Sequence, residues 1–78
     1  MEARIVRLDT PNDKNGNIQE VYSDTGFNRE LQFLENGKIV HKSGPHHPEN
    51  DIYTTFKDKL YLVPSMSTIV FVEFAGPL

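Results

Sequence analysis

NRELQFLENGKIVHK, residues 28–42, is the stretch whose reading decides the fold. Its Asn36-Gly37 pair fits two structures. In a β-hairpin, a two-residue loop would set Glu35 opposite Lys38, Leu34 opposite Ile39, Phe33 opposite Val40 and Leu31 opposite Lys42. One face would then carry Leu31, Phe33 and Val40. The other would carry Leu34 and Ile39 beside Gln32 and His41. In a helix, Asn28 would be the N-cap, Leu31 and Leu34 a buried pair, and Gly37 the left-handed residue at the end. Helix propensity favours the second structure, because no β-branched residue lies between Asn28 and Glu35. So short a helix would depend on packing for its stability. The Asn-Gly turn signal and the matched cross-strand pairs favour the hairpin, and residues 38–42 are a strand in both structures.

Working outward, residues 3–8 alternate as a strand with arginine on both faces, as at a sheet edge. Residues 9–16, DTPNDKNG, are turn chemistry throughout. Residues 18–22 form a second strand, expected to pair back onto the first, and Asp24-Thr25-Gly26 ends it. Residues 43–51, SGPHHPEND, read as a surface loop because two prolines and a glycine interrupt any regular ladder. Residues 52–56 and 60–63 are two strands around a three-residue loop, Lys57-Asp58-Lys59. That register would put Ile52, Phe56, Leu60 and Leu62 on one face, with Tyr53, Thr55, Tyr61 and Val63 on the other. Residues 68–75, TIVFVEFA, are apolar on both faces, as a covered central strand should be.

The run Asn36-Gly37-Lys38-Ile39-Val40-His41-Lys42-Ser43-Gly44-Pro45 resembles the recurring unit of bacterial MORN-like β-hairpin repeats, in which an NGK turn and an apolar residue precede a GP. The resemblance covers ten of the 78 residues. It implies an all-β meander with a binding role and carries no catalytic residue.

Seventy-eight residues make a single domain, 1–78, near the size at which one core holds without staples. Without cysteine there is neither a disulfide nor a thiolate metal site, which fits an intracellular, cytoplasmic protein. No basic leader or long apolar run is present, so no signal peptide or membrane-spanning helix is expected. Eight basic against eleven acidic side chains, a net charge of −3, argue against nucleic acid as a partner. The rings that could stack on bases are needed for the core, so a nucleic-acid-binding small β domain stays an alternative.

His41, His46, His47, Glu49 and Asp51 are the one reactive-looking cluster. His41, His46 and His47 could ligate a metal, or the histidines could act as acid and base. No metal-ligand spacing, nucleophile elbow or phosphate-binding glycine loop supports either chemistry. His46, His47, Glu49 and Asp51 are better read as a recognition loop in a protein without cofactor or catalysis. Apolar residues on both faces of several strands name Leu34, Ile39, His41, Tyr53 and Tyr61 as interface candidates, for a protein partner or a homo-oligomer.

The expectation is an all-β domain, a small antiparallel meander, sandwich or partly open barrel of five to seven strands. The alternative is an α+β domain with one short helix at 28–36 on an antiparallel sheet. The expected function is that of a small non-catalytic binding module acting by protein–protein contact, as an accessory, inhibitor or assembly protein of bacterial or viral type. The alternative function is a metal-binding or acid–base site centred on residues 41–51.

Overall fold

The computed structural model describes residues 4–9, 16–22 and 28–74. Seven strands form two antiparallel sheets, and no helix occurs among the described residues. The strands are β1 (Arg4–Asp9), β2 (Ile18–Tyr22), β3 (Arg29–Glu35), β4 (Lys38–His46), β5 (Ile52–Phe56), β6 (Lys59–Val63) and β7 (Ile69–Phe74). One sheet has the order β1-β7-β6-β5 and the other β2-β3-β4. The expected reversal at 9–16, the break at 24–26, and the strand ends at Ala3 and Ala75 lie wholly or partly outside the described residues.

Residues 28–42 form the hairpin. Asn36 and Gly37 both take positive φ, 53° and 76°, as a twist-matched two-residue turn requires. Glu35 faces Lys38 and Leu34 faces Ile39 as the sequence predicts, but one extra residue then enters β4. Phe33 pairs with His41 and Leu31 with Ser43. This bulge turns Val40 outward, where it is half exposed, and brings His41 to the inner face that Val40 was expected to occupy. A second irregularity sets Arg29 against His46, so β4 runs through Ser43–His46, where a loop was expected. Pro45 is tolerated there because β4 is an edge strand.

The β5–β6 turn is also tighter than expected. Lys57 and Asp58 both sit in the left-handed region, at φ 48° and 45°, and close a two-residue turn without glycine. Phe56 therefore faces Lys59, Thr54 faces Tyr61 and Ile52 faces Val63. The one-residue slip reverses β6: Tyr61 and Val63 point inward with Ile52 and Phe56, while Leu60 and Leu62 point outward with Tyr53 and Thr55.

β2 pairs with β3 and not with β1, correcting the expected first hairpin. β1 instead flanks β7, which is the central strand its two apolar faces predict, with β6 on the other side. The chain thus leaves the larger sheet after β1 and returns to it at β5.

Between the sheets lie Ile18, Leu31, Phe33, Ile52, Tyr61, Val63, Val70 and Val72, all buried. Each such large apolar side chain contributes about 1.5–3 kcal/mol by leaving water. Phe33 is the hub of the aromatic part, 4.6 Å from Tyr61 in an edge contact and 4.8 Å from Phe56.

One end of the sandwich is closed by a charge. Arg29, fully buried on the same face as Leu31 and Phe33, donates from Nε to Glu20 Oε1 at 2.7 Å. Its Nη1 donates to the carbonyls of Pro48 (3.0 Å) and Asn50 (3.3 Å), and its Nη2 to those of Pro64 (3.3 Å) and Ser67 (2.9 Å).

Gly44 passes directly over the Arg29 backbone. At φ 123°, an added Cβ would come within 2.9 Å of the Arg29 carbonyl oxygen and 3.1 Å of Glu30 Cα. Both atoms are backbone and cannot move aside. Gly44→Ala is expected to lower stability by about 1–3 kcal/mol, read as a lower denaturant midpoint at unchanged slope; an unaltered midpoint would contradict this packing.

Candidate interaction surfaces

The five interface candidates do not share a surface. Tyr61 lies in the core, 5% exposed, because of the β6 slip. His41 is half-buried on the inner face, stacked on Phe56 at 5.4 Å with Nε2 3.0 Å from Thr54 Oγ1, so it joins the edges β4 and β5 of the two sheets. Leu34 and Ile39 pair on the outer face of the smaller sheet beside the hairpin tip. Tyr53, 63% exposed, stands on the outer face of the larger sheet.

The histidine-rich stretch is fastened by local bonds. Ser43 Oγ and His46 Nε2 are 3.0 Å apart across the irregular end of β4. His47 Nδ1 accepts from the Glu49 amide at 3.2 Å. Among the described residues, no three histidine or acidic side chains converge as a metal cluster would require, and His41, His46 and His47 serve separate contacts.

Asp51 organises the end of the loop. Its Oδ1 accepts from the Ser65 amide at 2.6 Å and its Oδ2 from the Tyr53 hydroxyl at 3.1 Å. That hydrogen bond, and then the negative charge of the carboxylate, raise the Tyr53 pKa above the usual tyrosine value of 10.0.

The two outer faces differ in chemistry. On the smaller sheet, Gln19 Nε2 donates to Gln32 Oε1 at 2.6 Å and Gln32 Nε2 to Glu30 Oε1 at 2.7 Å, with Lys42 Nζ 4.0 Å from Glu30 Oε2. This polar ladder crosses all three strands. On the larger sheet, the register aligns Arg7, Phe71, Leu62 and Tyr53 in one row across four strands. The adjacent row is Ile5, Glu73, Leu60 and Thr55, and Ile69 lies beyond Phe71. Ile5 is 61% exposed, while Phe71, Leu60, Leu62 and Ile69 are partly so. A hollow of about 200 Å³ adjoins this face, bounded by Asp51, Tyr53, Leu62 and Pro64.

A larger groove of about 380 Å³ opens between the sheets at the end away from Arg29. Ile18, Phe33, Phe56, Val72 and Phe74 contribute its apolar wall, and Asn17, Glu35, Lys57 and Lys59 its polar lining. The Lys57 ammonium bonds the Glu35 carboxylate, joining the two hairpin tips, and lies 5.3 Å from the Phe56 ring centroid. The Lys59 ammonium lies 5.0 Å from the Phe74 ring centroid.

The sequence alternation already put Arg29 on the face of Leu31 and Phe33, and Glu20 on the face of Ile18. Opposite charges at inward positions of neighbouring strands were the available signal for the buried pair. In a spectrophotometric titration, the Tyr53 phenolate is expected to appear above the ordinary tyrosine pH range, and Asp51→Asn should bring it back down; a Tyr53 that titrates identically in both proteins would break the Asp51 assignment. No protein-family model matches the chain, and neither a curated protein nor a solved structure does.

Proposed function

We propose that the protein is a small non-catalytic binding module that works by protein–protein contact, as an accessory, inhibitor or assembly component. The outer face of the larger sheet is the observation that supports it most. Phe71, Leu62 and Tyr53 line up across three strands there, while the corresponding face of the smaller sheet carries a hydrogen-bonded polar ladder, with its apolar residues Leu34, Ile39 and Val40 near the hairpin tip. A domain of this size gains little by leaving such a face in water, and burying it on a partner removes that cost. The hollow beside Tyr53 has room for one apolar side chain, the arrangement in which a few central residues carry an interface. Among the described residues, Asp51 and Glu73 outnumber Arg7 on this side, so a partner with an apolar centre and a cationic rim is the better complement. The resemblance of residues 36–45 to MORN-like hairpin units also points to binding. A cytoplasmic setting belongs to the same reading and rests on the absence of cysteine.

Immobilised wild-type protein should retain a defined protein from extracts of its native cell or infected host. Phe71→Arg, correctly folded by circular dichroism, should lose that protein, whereas Gln32→Ala on the polar face should keep it. Identical capture by all three would remove the larger sheet as the binding face. Self-association of the wild type that Phe71→Arg abolishes would instead make a second copy the occupant.

A further inference from the structure

We propose that the groove at the open end of the sandwich binds a medium-chain fatty carboxylate, with the acyl chain between the sheets and the carboxylate on Lys59. The site is separate from the outer face assigned to the protein partner. Its volume, about 380 Å³, falls within the range of small-molecule sites, and the accessible part of its apolar wall is Val6, Leu8 and the rings of Phe56 and Phe74. Such a wall offers a flexible hydrocarbon apolar contact without a hydrogen-bond pattern to satisfy, which suits an acyl chain better than a polar metabolite.

The charges at the groove select the headgroup. Glu35 and Lys57 neutralise each other across the hairpin tips. Lys59 faces inward between Phe56 and Phe74 in register, and its ammonium is set against the Phe74 ring. A cation on a ring face is held weakly where water reaches it, so a carboxylate can recruit Lys59 with a stronger, charge-assisted bond. Among the described residues, the groove lining therefore carries one positive charge in excess, within a chain whose net charge is −3. That excess matches a single carboxylate and opposes a cationic amphiphile. A neutral alcohol of the same length would gain the apolar contact alone.

Isothermal titration of the intact protein with decanoate, dodecanoate and dodecyltrimethylammonium, each below its micellar concentration, and with dodecanol below its solubility limit, tests the proposal. Dodecanoate should bind saturably at one site. Each methylene adds about fourfold in affinity, so decanoate should bind about 15-fold more weakly. Lys59→Gln should weaken dodecanoate about tenfold, to the level of dodecanol, and Lys59→Arg should retain it. Val6→Trp, which fills the groove from its partly exposed β1 wall, should abolish binding while circular dichroism stays unchanged. Absence of saturable dodecanoate binding, equal binding of the cationic amphiphile, or undiminished binding in Val6→Trp would each overturn it.

Discussion

Every N–H donor of the Arg29 guanidinium is engaged inside the protein, one by the Glu20 carboxylate and four by the carbonyls of Pro48, Asn50, Pro64 and Ser67. The rest of the structure depends on this constraint. The four carbonyls belong to two segments, one leading into β5 and one leaving β6, neither of which lies in a sheet ladder. Without the guanidinium the carbonyls of Asn50 and Ser67 would lose their donor, while those of Pro48 and Pro64 would keep only the amides of Met66 and Ser67. A buried ion pair by itself adds little over an apolar replacement, because desolvation offsets attraction. Here the planar fork supplies more than a pair: it fixes where two chain segments lie relative to the smaller sheet.

From that closed end the core runs along the sandwich. Phe33 fills its middle against Tyr61 and Phe56, and His41 joins β4 to β5 through Thr54. At the far end the sheets are linked by Glu35 and Lys57 between the hairpin tips, and the groove opens beside them. The outer surface follows from the same constraint. By holding the carbonyls of Asn50 and Pro64 from inside, Arg29 sets the positions of Asp51 and Ser65, whose hydrogen bond places the Asp51 carboxylate for Tyr53. The rim of the proposed binding face is thus positioned by a residue that never reaches the surface.

Elements governed by local chemistry were legible in the sequence. The Asn36-Gly37 turn, the extents of β2 and β5, the interruption at Pro64 and the doubly apolar β7 all follow from turn residues and alternation. Register and partnership were not, because tertiary contacts decide them. The bulge that brings His41 inward is matched by its contacts with Phe56 and Thr54 on the other sheet. The Lys57-Asp58 turn lacks the glycine that would have announced it, and the Lys57 bond to Glu35 ties it across to the other hairpin tip. β1 could have paired with β2 on local grounds, yet the exposed flank of β7 is the more apolar partner. Of the candidate sites, Tyr53 and the Leu34–Ile39 pair reach the surface as read, whereas the slip of β6 places Tyr61 in the core. Arg29 was visible as an inward charge, but its carbonyl partners are 19 to 38 residues away and leave no mark in the sequence.

The measurement that bears most directly on this account is native-state hydrogen exchange in Arg29→Lys, which keeps the charge beside Glu20 and removes the fork. The amides of Asn50, Met66 and Ser67, which donate to His47, Pro48 and Pro64, report on the two segments. If Arg29 holds both segments, these three amides lose protection together and global stability falls by about 1–3 kcal/mol, the cost of buried carbonyls left without the fork. Protection that is unchanged, or lost at Asn50 alone, would contradict it.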